Sequence, residues 1–145
     1  MSALYTASAT ASATASGDGR NGHVRSSDGV LDLDLAVPKE MGGPGGALSN
    51  PEQLFAAGYA ACFHGALKLV ARNRKVTLTD TAITVDVSIG PKADGTPGFQ
   101  LAATIEAELA GVDDTTALEL LEAAHQVCPY SNATRGNIEV KLSVA

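Results

Sequence analysis

Two cysteines, Cys62 and Cys128, offer more chemistry than any other residues in this chain. A thiolate is a nucleophile, and once oxidised to a sulfenic acid it condenses with a second thiol to give a disulfide. The surroundings of Cys62 work against it. Ala61-Cys62-Phe63 lies in an apolar run, and burial among apolar groups raises a thiol pKa. In such a run a cysteine is more often a small buried hydrophobe than a nucleophile. A reactive Cys62 therefore needs a cation. Lys68, Arg72, Arg74 and Lys75 sit towards the C-terminal end of the same expected helix, more than a turn away, whereas Arg20 sits in a turn-rich loop that can reach elsewhere. Cys128 falls near the C-terminus of a second expected helix, where the negative end of the dipole disfavours a thiolate. Such a thiol is a poor first nucleophile but a competent partner for a sulfenic acid beside it.

The remaining motifs carry less. Gly17-Asp-Gly19-Arg-Asn-Gly22 matches G-x-G-x-x-G letter for letter, but turn residues and a strand follow it, not the helix that a dinucleotide pyrophosphate requires. It reads as a turn. His23, His64 and His125 show no metal-ligand spacing, so no metal site is expected. Asn132-Ala-Thr134 fits the glycosylation sequon, which has no meaning without secretion.

The elements that must position these residues follow from periodicity. Thr6 to Ser16 alternates hydroxyl and Ala, the period of a strand with one polar face. After the turn dipeptides Asp18-Gly19, Asn21-Gly22 and Asp28-Gly29, His23 to Ser26 and Leu31 to Leu35 complete an antiparallel meander. A Gly- and Pro-rich loop runs from Pro38 to Asn50. Asn50-Pro51-Glu52-Gln53 then announces a helix: Asn caps, Pro suits the first position, and Gln can close a capping box. This helix should run from Pro51 to about Arg72; LFAAGYAACFHGAL has no polar face, so burial on all sides is expected. Gly58, Ala61 and Gly65 would let another helix approach. Strands are expected over Thr81 to Ile89, Phe99 to Leu109 and Ile138 to Val144, with a second helix from Asp113-Asp114 to Cys128, just before Pro129. The fold class is α+β: about six mostly antiparallel strands around a buried central helix, in a single domain spanning 1–145.

Composition sets the outer bounds. With 45% hydrophobic but only 4% aromatic residues and no Trp, the core must be built from Ala, Val, Leu and Ile. A net charge of −6 argues against nucleic acid and anionic membranes as partners. No secretory signal is visible at the N-terminus. The longest uncharged apolar stretch, Leu54 to Leu67, is about 14 residues, short of the roughly 20 that span a bilayer. A cytoplasmic protein is expected, in a compartment where a static structural disulfide is uncommon. Transient, catalytic or simply buried thiols all remain open.

Long segments of the chain are similar to the organic hydroperoxide resistance (Ohr) branch of the Ohr/OsmC superfamily. They are YTASATA, SSDGVLDLDL, PKEMGGPGGALSNPEQLFAAGYAACFHGAL and VCPYSNATRGNIEV. The resemblance implies an intertwined homodimer in which two sheets wrap paired central helices. It implies thiol-dependent reduction of alkyl and lipid hydroperoxides, with no tightly bound cofactor and with reducing equivalents from dihydrolipoamide or a lipoylated protein. Carried over residue by residue, it makes Cys62 in AACF the peroxidatic cysteine and Cys128 in VCPYS the resolving one. The family's arginine falls on Arg20 and its glutamate on Glu52 in NPEQ. Arg20 would then stabilise the Cys62 thiolate while Glu52 holds the guanidinium. Two other classes compete: a non-enzymatic redox sensor, and a binder of small apolar ligands with incidental thiols. The resemblance places Glu52 and Cys62 around one arginine, yet ten residues apart on one helix they are separated by about 15 Å at 1.5 Å per residue. Either the helix breaks near Gly58 or the glutamate serves a neighbouring subunit, unless Glu52 merely favours its own helix N-terminus.

Overall fold

The computed structural model describes residues 1–14 and 17–145. Its contacts gather the chain into two compact units, Met1–Leu54 and Phe55–Ala145.

The first unit is a small antiparallel meander of β1 (Ala9–Ser12), β2 (His23–Ser26) and β3 (Asp32–Asp34), in the order β1-β2-β3. Ala11 pairs with Val24, and Val24 with Leu33. The strand expected over Thr6 to Ser16 is realised only at Ala9–Ser12; Ala15 and Ser16 lie outside the described residues. The reason is that β1 buries neither face, so it is held by its ladder alone, and that ladder is as long as the four-residue β2. The link between β1 and β2 is fastened from within. Asn21 N–H donates to Asp18 Oδ1 (2.9 Å), Leu35 N–H to the Gly22 carbonyl (2.8 Å) and Val37 N–H to Asn21 Oδ1 (2.9 Å). Within the Gly- and Pro-rich segment, Lys39–Met41 forms a 3-10 turn.

Helix α1 spans Pro51–Asn73 without interruption. Asn50 caps it as expected, its Oδ1 accepting from Gln53 N–H at 2.8 Å. The helix is long and apolar enough to cross a membrane by length and composition. Tyr59, Phe63 and Leu67, however, are completely buried in a core shared with strands and a second helix. Nor is it covered on every side: within the single chain Ala57, Ala61 and Gly65 form an exposed stripe that Leu69 continues at 42% exposure. Small apolar residues count as hydrophobic in the pattern, so the sequence alone does not separate this stripe from the core face.

The second unit holds the long hairpin of β4 (Thr81–Pro91) and β5 (Phe99–Leu109), with β6 (Val140–Val144) parallel to β5 on its far side. Val85, Ala103, Ile105 and Ala107 point inward, as their period of two requires. Helix α2 (Asp114–Val127) is capped by Asp113, which accepts from Thr116 N–H at 2.7 Å, and buries Ala117, Leu120, Leu121 and Ala124. A six-residue helix α3 (Pro129–Thr134) follows at once. Gly58 answers to α3: a Cβ there would stand 2.8 Å from the Tyr130 hydroxyl. Its missing side chain thus admits an aromatic ring of the same chain.

Candidate functional site

Cys128 is the joint between α2 and α3. Pro129 disfavours helical backbone in the residue before it, and Cys128 is accordingly extended (φ −67°, ψ 124°). Its N–H still closes α2 on the Ala124 carbonyl at 2.9 Å, and Pro129 opens α3 at the position where a missing N–H costs nothing. The Cys128 side chain is fully buried, and its Sγ lies 3.5 Å from Sγ of Cys62, which is half-buried on α1. Both thiols are free. Desolvation pushes the Cys62 thiol above its ordinary range, against the backbone N–H of Tyr130, which favours the thiolate. Burial wins.

Behind Cys128 lies a group of hydroxyls. Tyr59 Oη is 2.9 Å from Ser131 Oγ and 3.0 Å from Thr134 Oγ1, and Ser131 Oγ is 2.7 Å from His125 Nδ1. The rings of Phe55, Tyr59 and Tyr130 pack on one another with centroids 5.7 to 6.2 Å apart. A cleft of about 490 Å³ opens beyond Phe55 and Thr134, lined also by Phe99, Leu101, Ile138 and Lys92; neither cysteine lines it.

The first unit carries an ion pair of its own. Arg20 Nη2 donates to both carboxylate oxygens of Glu52, each at 2.6 Å, and the glutamate side chain is only 14% exposed. Arg20 Nε is buried with no hydrogen-bond partner among the described residues. Nearby on β2, His23 bridges Asp34 (2.7 Å) and Asp32 (2.5 Å), and hydrogen bonding to Asp34, then Asp32, raises its pKa. Residues 19–22 bend into β2, as turn residues do. Among the described residues no group of three His, Cys, Asp or Glu is arranged to hold a metal ion.

Comparison with known proteins places this arrangement. The family described as OsmC-like protein matches residues 43–143. The organic hydroperoxide resistance protein of Xanthomonas axonopodis pv. citri is 49% identical over 98% of this chain and 95% of its own. The crystal structure of an organic hydroperoxide resistance protein from Legionella pneumophila matches with a TM-score of 0.89 at 49% identity, covering 99% of both chains. That of OhrB from Bacillus subtilis gives 0.84 at 45% identity, over 99% of this chain and 100% of that one. This chain belongs to the Ohr branch of the OsmC-like family. Its mixed α+β fold, with six strands in two sheets and three helices among the described residues, is that of the Ohr proteins.

Of the four site residues expected for an Ohr protein, the structure brings together Cys62 with Cys128 and Arg20 with Glu52. Sequence reasoning passed over Tyr130, whose contribution is a backbone amide and leaves no trace in residue type. It also passed over Tyr59, Ser131, Thr134 and His125. The three-residue spacing of Ser131 and Thr134 just after Pro129 was the available signal, since it sets two hydroxyls on one side of a helical turn.

Proposed function

We propose that this Ohr-branch protein is a thiol peroxidase that reduces organic hydroperoxides to alcohols in the cytoplasm. The observation that carries the reading is the pair of free thiols 3.5 Å apart, one half-exposed and one buried. Cys62, the accessible one, attacks the distal hydroperoxide oxygen as a thiolate. The O–O bond breaks, a proton joins the departing alkoxide to give the alcohol, and Cys62 becomes a sulfenic acid. Cys128 then attacks that sulfur; the S–S bond forms and the hydroxyl leaves as water. An external dithiol such as dihydrolipoamide, or a lipoylated protein, reopens the disulfide by exchange and is itself oxidised.

Because burial keeps Cys62 protonated, the first step needs a donor aimed at the sulfur or at the peroxide oxygen. We assign that role to Arg20, as the resemblance to the family implies: Glu52 grips one end of its guanidinium, and Nε–H has no acceptor among the described residues. The names of its relatives support organic hydroperoxides as substrates. The exposed stripe of Ala57, Ala61 and Gly65 supports a homodimer in which two α1 helices pack closely. A steady-state assay tests the whole reading. Cumene hydroperoxide should be consumed faster than hydrogen peroxide, and dihydrolipoamide should sustain turnover better than thioredoxin. No turnover with any peroxide would refute it.

A further inference from the structure

The hydroxyl cluster behind Cys128 has no part in the chemistry proposed above, yet it is costly to build. Tyr59 and Ser131 are completely buried and Thr134 is 4% exposed. Buried hydroxyls cost free energy unless each is bonded, and apolar groups of the same shape serve stability about as well. What a bonded network adds is a fixed geometry.

The geometry in question is that of α3. At six residues it is too short to be held by its own hydrogen bonds, so its position depends on what it is tied to. Tyr59 ties it to α1 through Ser131 and Thr134. His125 ties it to α2 through Ser131, and Arg135, just past its end, donates Nη2 to the His125 carbonyl at 2.5 Å. The group that closes on Cys62, the Cys128 sulfur, hangs from this joint. Joining the sulfurs shortens their separation from 3.5 Å to about 2.05 Å. Cys62 sits in the middle of a 23-residue helix, whereas Cys128 is an extended joint between two helices. The joint is the part that must move, and its starting position decides whether Cys128 can reach.

We infer that Tyr59, Ser131 and His125 are positioning residues that hold the α2–α3 joint so that Cys128 can close on oxidised Cys62. The inference rests on the thiol peroxidase reading for its oxidant, although closure itself can be driven by other means. The step is attack of the Cys128 thiol on the sulfenic sulfur of Cys62: the S–S bond forms, the S–O bond breaks, and water leaves with the thiol proton.

The test separates the two half-reactions in single turnover. Tyr59→Phe keeps the ring packing against Phe55 and Tyr130, and should consume its first equivalent of cumene hydroperoxide at the wild-type rate. Its sulfenic acid, trapped with dimedone, should persist at least about tenfold longer, since an ångström of misplacement can cost that much or more. Ser131→Ala should behave alike. His125→Asn keeps an amide group about where Nδ1 sits and should restore closure, whereas His125→Ala should not; these half-buried variants decide the matter should Tyr59→Phe fail to fold. Unchanged sulfenic acid lifetimes in folded Tyr59→Phe and His125→Ala would overturn the inference. So would His125→Asn being as slow as His125→Ala, because the imidazole would then be acting as an acid or base. Timing closure with diamide, which requires no hydroperoxide, distinguishes the two failures. A wild type that closes with diamide but consumes no hydroperoxide sinks the peroxidase reading alone.

Discussion

In Cys128→Ser, the sulfenic acid formed on Cys62 should outlive the wild-type one about ten-thousandfold when the external dithiol is at about 1 mM. The figure comes from the sulfur separation. One thiol confined within 3.5 Å of its target is present at an effective concentration of about 10 M. Against a bulk dithiol at about 1 mM that is a factor of about 10⁴, equivalent to about 5.5 kcal/mol. Alignment of the attacking sulfur would add to this. Serine changes the site little in volume but leaves a hydroxyl in a fully buried position, at a cost of about 1–3 kcal/mol if unbonded. Cys128→Ala, which adds no polar group, is therefore the second variant. Each is mixed with one equivalent of cumene hydroperoxide, sampled into dimedone and followed by intact mass. Both should consume about one equivalent, accumulate the sulfenic acid, and turn over only as fast as bulk dithiol attacks it. Wild-type turnover at 1 mM dihydrolipoamide in both variants would refute Cys128 as the resolving thiol. An inert Cys128→Ser beside a reactive Cys62→Ser would reverse the roles.

Arg20→Lys keeps the charge but cannot both grip Glu52 and offer Nε–H, so its first-equivalent rate should fall at least about tenfold in stopped flow, the cost of about 1.5 kcal/mol for one charge-assisted bond; a wild-type rate would remove Arg20 from the mechanism. Since α1 is unbroken through Gly58, Glu52 is expected to serve Cys62 of a neighbouring subunit, and mixing inactive Glu52→Ala with inactive Cys62→Ser subunits should restore activity; verified exchange without activity excludes it. The histidines should tilt stability against pH in opposite senses. Burial, then Arg135, lowers the His125 pKa, so the unfolded chain binds its proton first and stability falls as pH drops below about 6.5; urea midpoints of His125→Asn should show a smaller fall. Hydrogen bonding to Asp34 raises the His23 pKa, so its contribution is present below about 6.5 and lost as pH rises through the folded value; His23→Asn should lose stability mainly on the acid side.

Legibility followed the kind of signal each element carries. The Asn50 cap, the Phe99–Leu109 strand and the α2 start at Asp113 rest on local rules and were readable residue by residue. The alternation of Val140, Leu142 and Val144 announces a strand but is silent on its partner, so the parallel pairing of β6 with β5 was not readable. Helix α3 is shorter than two turns and contains no periodic apolar stripe, so after Pro129 it looks like a loop. The Tyr59–Ser131 bond joins residues 72 positions apart, and neither has a neighbour that suggests the other. The two cysteines were legible as candidates from their chemistry, and their pairing only through likeness to a family. Local reading pointed the other way for Cys62, and the structure bears out its reason: burial does raise that thiol.

That conflict says where catalysis must come from. A thiol held above its ordinary range is a poor nucleophile at neutral pH, which also protects it from indiscriminate oxidation. Interactions accelerate a reaction only if they are stronger in the transition state than in the resting state. The Tyr130 amide already favours the thiolate in the resting chain, so much of its benefit is spent before the substrate arrives. Arg20 Nε is the opposite case, a buried donor with no acceptor among the described residues. An unmade bond of this kind costs about 1–3 kcal/mol. It is recovered when an acceptor appears, and in the proposed reaction the acceptors that appear are the thiolate and the hydroperoxide oxygen that takes up charge as the O–O bond breaks. Glu52 makes this feasible by neutralising the guanidinium and fixing its direction through the far nitrogen, so that the resting cost is borne by one N–H and not by a whole unpaired charge. Burial then protects the thiol at rest, and reactivity toward a bound hydroperoxide comes from a donor that has no acceptor among the described residues until the proposed reaction supplies one.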